Sequence, residues 1–171
     1  TYPLMQFIGA PFLGSLSDRY GRKPILLISQ LGTFIGFIVL GLANALPLLF
    51  ISRVIDGLSG ANISTAQAVI TDSTNERTRT QGLGLMGAAF GLGFIVGPII
   101  AFISLAISHD NYHVPAFVAA IFSALSIGLT WFWLEETHGP EKRGTAKPRS
   151  ALSVGAMFQA LGKPQIGLLL V

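Results

Sequence analysis

The sequence predicts an all-α membrane protein, a polytopic bundle of hydrophobic helices. Three observations predict it. Hydrophobic residues make up 51% of the 171 and charged residues only 11%, where a soluble domain is about a quarter charged. The charges are clustered, which leaves long uncharged runs. None of those runs alternates as a barrel strand would, and lipid cannot satisfy open strand edges, so the spans must be helices. Cysteine is absent, which removes any disulfide framework or thiol metal site. The net charge is +3, but no basic patch is interleaved with aromatics, so nucleic acid is not an expected partner.

Residues 1–134 divide into five expected spans: Tyr2 to Ser17, Pro24 to Ala43, Leu46 to Thr71, Gln81 to Ile107 and Val114 to Leu134. Residues 135–163 read as a polar connection with Gly139-Pro140, Gly144 and Pro148. It ends in an amphipathic stripe of Ala151, Val154, Met157, Phe158 and Leu161, which suits a helix lying along the membrane interface. Residues 164–171 read as the start of a further span. The first run is short for a hydrocarbon core of about 30 Å, and no signal peptide precedes it. The sequence therefore reads as a piece of a longer chain.

Lys and Arg set the expected orientation. Arg19, Arg22 and Lys23 fall in the first turn, Arg77 and Arg79 in the third. Lys142, Arg143, Lys147, Arg149 and Lys163 fall in the connection after the fifth span. With strict alternation all of these share one side. The turn near Asn44 and the loop from Ser108 to His113 hold neither Lys nor Arg. The positive-inside rule puts the basic turns in the cytoplasm. The one basic residue left over, Arg53, lies inside a span.

The most specific stretch is Gly14-Ser-Leu-Ser-Asp18-Arg19-Tyr-Gly21-Arg22-Lys23-Pro24. Gly14 permits close helix contact, Gly21 permits the turn, and Pro24 suits the first turn of the returning helix. Asp18 ends its own helix, where the dipole disfavours an anion, so it needs a partner such as Arg22 or another helix start. Asp72 has the same problem and lies on the same side, near Arg22. The order Gly-x3-Asp-Arg-x-Gly-Arg-Lys resembles the loop between the second and third helices of the major facilitator superfamily. That resemblance implies a conformational latch built from Gly14, Asp18, Arg19, Gly21, Arg22 and Asp72, with Asp18 meeting a helix start in the other half. For Arg19 and Lys23 the plain alternative is a solvated charge that sets topology.

In the third span Arg53, Asp56, Gly57, Gly60, Ser64, Gln67 and Thr71 fall within roughly 60° of one line at 100° per residue. Ile51, Ile55, Leu58 and Val69 occupy the other side, together with Asn62, which is expected to bond a neighbouring helix. Such a stripe faces a water-filled cavity or a tight helix partner. An intramembrane Arg costs several kcal/mol unless it is paired or hydrated. Asp56 at i+3 is within reach; the alternative is that Arg53 snorkels to the outer interface. Arg53-x3-Gly57 also resembles the superfamily's fourth-helix motif. The stripe makes Arg53, Asp56, Gly60, Ser64 and Gln67 candidates for a cavity or proton path; the resemblance implies that Arg53 influences proton transfer, with Asp56 standing where the family commonly has a neutral residue.

The fourth span carries Gly87-x3-Gly91 and Gly93-x3-Gly97-Pro98. These spacings allow close backbone approach, and Pro98 removes a hydrogen bond and should kink the helix. Gly93-x3-Gly97-Pro98 resembles the fifth-helix signature of drug and proton antiporters, which implies a hinge or seal at Gly93, Gly97 and Pro98. Glu76 and Arg77 are expected to help cap the following helix. His109, Asp110 and His113 are too few to make a metal site. Glu135-Glu136-Thr137 resembles the acidic end of the superfamily's sixth helix and marks a boundary.

Nearly the whole chain is thus similar to helices two to six and the start of helix seven of the superfamily, mainly its N-terminal half, and most like the tetracycline-efflux type. The resemblance implies a secondary transporter of small molecules working by alternating access. It also implies a proton as coupling ion, a lipid bilayer around the chain and a second half beyond it. Sugar or organic-anion symport, or an inactive truncated product, are the alternatives. No cofactor and no enzyme motif are read: there is no phosphate loop and no Ser-His-Asp set.

Overall fold

A computed structural model describes residues 2–137, apart from the side chain of Ala61. The expected linker, with its stripe from Ala151 to Leu161, and the start of the next span from Gln165 lie outside the described residues. Six α-helices follow one another: α1 (Tyr2–Tyr20), α2 (Arg22–Gly41), α3 (Leu46–Ser59), α4 (Ile63–Ser73), α5 (Glu76–Ile107) and α6 (His113–Trp133). A single 3-10 turn, Gly60–Asn62, joins α3 to α4.

Among the described residues four helical stretches are long and apolar enough to cross a membrane: α2, the combined Leu46–Ser73, α5 and α6. The expected first span, α1, stands outside that set despite its 19 residues. Gln6, Ser15, Ser17, Asp18 and Arg19 dilute it. It also runs three residues beyond the expected Ser17, so the charges of the first turn are helical and only Gly21 separates α1 from α2. Gly21 has φ 111°, a left-handed backbone that glycine adopts without strain.

The third span is not one continuous α-helix as expected. It tightens at Gly60–Asn62, where neighbours take over carbonyls. Ser29 Oγ of α2 donates to the Ser59 carbonyl, and Gln6 Nε2 of α1 donates to the Gly60 carbonyl at 3.0 Å. In a medium without water, a loosened turn needs such donors.

The core is small and polar. Among the described residues the buried apolar side chains are Ile25, Leu26, Ala116 and Ala120, while Ser17, Ser29, Ser52 and Thr65 are also buried. Large apolar side chains such as Phe7, Phe94, Ile107 and Phe132 point outward. Lipid is as apolar as leucine, so burying a large side chain gains little, while small residues let backbones approach. The α2–α3 crossing shows this. A Cβ added at Gly32 would come within 2.7 Å of Ser59 Cβ, and one at Gly36 within 2.9 Å of Asp56 Cβ.

Candidate functional site

The charged turn gathers at one end of the bundle around Arg22. As the first residue of α2 it stands where the helix leaves Gly21, and its side chain is only 11% exposed. Its Nη1 lies 2.5 Å from Asp18 Oδ1 in the last turn of α1 and donates to Ser17 Oγ at 2.7 Å. Its Nε donates to Asp72 Oδ2 at 3.0 Å, near the end of α4. Its backbone N–H donates to Glu136 Oε1 at 2.9 Å, just beyond α6. One arginine therefore ties α1, α2, α4 and the exit of α6 together through charge-assisted bonds.

The two carboxylates at helix C-termini, each unfavourable there alone, share this cation. Glu136 sits at the N-terminus of α2, where a negative charge is favourable. Lys23 Nζ donates in turn to the Trp131 carbonyl at 2.9 Å, placing a positive charge at the C-terminal end of α6.

Sequence reasoning paired Asp18, Arg22 and Asp72 but took Glu136 as a boundary marker and passed over Ser17. Glu136 lies 114 positions from Arg22, so no local spacing could link them. Arg19 stands apart, stacked 5.4 Å over the Tyr20 ring. Gly14 lies against α4, where an added Cβ would be 3.9 Å from Ser64 Oγ. The cap of α5 also differs from expectation. Asn75 Oδ1 accepts from the backbone of Arg77 at 3.2 Å and of Thr78 at 3.0 Å, and Thr78 Oγ1 accepts from Asn75 N. Glu76 and Arg77 merely occupy the first turn. An Asn side chain caps better than a residue already inside the helix because its oxygen reaches the free N–H groups.

In the third span Arg53 Nη1 and Asp56 Oδ2 stand 3.6 Å apart. Asp56 is 5% exposed, enclosed by Gly36 of α2, whose missing Cβ leaves the room. The glycine side of the polar stripe lies against α1: an added Cβ at Gly57 would meet Tyr2 and Met5, and one at Gly60 the Tyr2 hydroxyl. Ser64 faces Gly14, and Gln67 is exposed.

At the other end of the bundle Arg53 lines a cavity of about 810 Å³ with Asn44, Tyr112 and His113. A second cavity of about 560 Å³ lies between α2, α5 and α6. Gln30, Thr33, Asn62, Gly93, Gly97 and Ser123 line it, and Asn62 faces this space. On α5 an added Cβ at Gly84, Gly87, Gly91, Gly93 or Gly97 would meet nothing within 4 Å. The helix runs on through Pro98.

These features define a class: a multi-pass helical membrane protein with a charge cluster at one face and, within a span, an arginine beside a buried aspartate. The chain matches the family described as Major Facilitator Superfamily over residues 1–171. It is 41% identical over 136 residues to the Escherichia coli tetracycline resistance protein, class B, covering 80% of this chain and 33% of that protein. It is 35% identical over 144 residues to major facilitator superfamily domain-containing protein 10 of Bos taurus, covering 84% of this chain and 30% of that protein. The crystal structure of the human organic anion transporter MFSD10 (TETRAN) superposes with a TM-score of 0.78 at 30% identity, covering 95% of this chain and 38% of that one. The chain belongs to the major facilitator superfamily. It spans roughly a third of the length of the relatives it matches.

Proposed function

We propose that the protein containing this chain is a secondary active transporter that expels small molecules by alternating access, coupled to protons, and that it is not an enzyme. One observation supports this most directly. A single span carries the buried Asp56 beside Arg53 within it, and at one end Asp72, bonded to the Arg22 cluster. Protonation of a buried carboxylate would thereby bear on the contacts that hold one face closed.

In this reading Gly14, Asp18, Arg19, Gly21, Arg22 and Asp72 form the latch, with Glu136 added to it. Arg53, Asp56, Gly60, Ser64 and Gln67 lie along the proton path, and Gly93, Gly97 and Pro98 form a hinge. The basic turns face the cytoplasm, and the rest of the carrier supplies the second half. Relatives described as tetracycline resistance proteins favour drug efflux. The solved relative described as an organic anion transporter favours organic-anion transport as the second reading.

The test is transport by the full-length protein in proteoliposomes with an imposed proton gradient, offering tetracycline and an organic anion in parallel. Gradient-dependent movement of either supports the proposal. Movement of neither, with correctly inserted protein, refutes it.

A further inference from the structure

We propose that Thr33 and Gln30 of α2 form a hydrogen-bond switch that carries the protonation state of Asp56 across α2 to α6. This rests on the proton-coupled reading of Asp56 and adds two positioning residues and a route to it.

Asp56 is 5% exposed and is pressed against α2 at Gly36. Among the described residues, the charged or titratable groups that face it are Arg53 on its own helix and Tyr2 of α1. From α2 it meets the hydroxyl of Thr33.

That hydroxyl is not placed as a helical threonine's usually is. A threonine inside a helix commonly turns its hydroxyl to the carbonyl one turn back. Thr71 and Thr74 do so onto Gln67 and Ile70, at 2.8 and 2.6 Å. Thr33 Oγ1 lies within reach of the Asp56 carboxylate, yet it closes no regular hydrogen bond with any described residue.

Gln30, one turn before Thr33 on α2, holds the other end. Its Nε2 donates to Ser126 Oγ at 3.2 Å and to Thr130 Oγ1 at 3.0 Å, both on α6. Its Oε1 is buried and accepts from no described residue. Both orphan atoms are already sealed off by the described residues themselves, so a further segment of the carrier cannot reach them.

A threonine hydroxyl has one proton to give, and here two acceptors compete for it. While Asp56 is ionised, its charge draws the Thr33 proton and Gln30 Oε1 is left bare. When Asp56 takes a proton from water, its new O–H donates to Thr33 Oγ1. The Thr33 proton then turns to Gln30 Oε1. The Asp56 O–H is the one covalent bond formed, and releasing the proton to water reverses every step. Gln30 is then bonded on both sides, which ties α2 more firmly to α6. Thr130 adjoins Trp131, whose carbonyl accepts from Lys23, and Glu136 beyond α6 accepts from the Arg22 backbone. The switch therefore reaches the latch by a second route, beside the span that carries Asp72.

Infrared difference spectra of the full-length carrier in liposomes, recorded between high and low pH without a gradient, test this. Acidification should produce a carboxylic acid C=O band that is absent in D56N. Its frequency should be the lowered one of an acid that donates a hydrogen bond. T33V should raise it to that of a free acid, and T33S should keep it low. A side-chain amide band should shift at the same pH and be lost in Q30M and in T33V. Gradient-driven transport should fall at least about tenfold in T33V, the weight of one hydrogen bond to a charged group, and recover in T33S.

No Asp56 band at any pH, a band that T33V leaves unmoved, or an amide band indifferent to pH overturns the proposal. If T33V does not insert, T33A and Q30M decide by the same bands. Bands that behave as expected without gradient-driven transport leave the switch and remove the transporter. Full transport in T33V with an unmoved band does the reverse.

Discussion

Two glycine-rich crossings in this molecule use the same residues in opposite ways. On α2, Gly32 and Gly36 press against Ser59 and Asp56 of α3, with no space for even a methyl group. On α5, glycines at the same spacing, Gly93 and Gly97, face an open groove, and α5 buries only Ser104. The first crossing is closed by backbone contact and by the Ser29 hydroxyl on the Ser59 carbonyl. The second has the surface for such a contact and no helix seated on it among the described residues. A Gly-x3-Gly spacing states that a backbone can approach. Whether one does is decided by the neighbour.

The largest expected effect breaks the first crossing. Gly32→Leu and Gly36→Leu should each prevent α3 from seating on α2, since overpacking costs about 1–3 kcal/mol even where neighbours can yield, and here they are helix atoms. Gly97→Leu should leave the α2–α3 contact intact. Cross-linking of cysteine pairs across α2 and α3 in the full-length protein checks both. An intact α2–α3 cross-link in Gly36→Leu would contradict the packing described.

The second effect compares two arginines in one loop. Arg22 is buried with three side-chain partners, while among the described residues Arg19 shows a ring stack alone. Arg22→Gln should cost about 1–3 kcal/mol, because it removes the buried cation that Asp18 and Asp72 share at their helix C-termini. Arg19→Gln should cost less than about 0.5 kcal/mol. Denaturant or thermal unfolding of the two variants measures the gap. Equal stabilities would mean the cluster is incidental.

A third comparison concerns Arg53 and the buried Asp56. Arg53→Ala and Asp56→Asn should each cripple gradient-driven transport, and the double variant should be no worse than the more damaging single, because the two act as a unit. Mild and additive losses in vesicles would leave the stripe as helix packing.

The smallest perturbation reads orientation. Single cysteines at Asn75 and Asn111 should be labelled from opposite sides, the second from outside, by a membrane-impermeant reagent. Labelling of position 75 from outside would invert the topology.

Local spacing carries part of the site and not the rest. Asp18 and Arg22 are four residues apart on one turn, and Arg53 and Asp56 three, so both pairs are legible in the sequence. The fold class is legible because uncharged runs of membrane length leave only helices. The sides that the turns share are legible from Lys and Arg. In the structure the first turn, the end of α4 and the exit of α6 do meet at Arg22.

Three-dimensional packing alone decided that Glu136 caps α2, that Gln6 and Ser29 hold the tightened turn in the third span, and that Gly57 and Gly60 face α1. It also separated the closed glycines of α2, a Gly-x3-Gly pair that sequence reasoning passed over, from the open ones of α5. The reason is physical. In lipid the hydrophobic effect no longer ranks one apolar face above another. A polar or small residue states only that it needs a partner. Which helix supplies that partner depends on shape and distance between segments far apart in the chain.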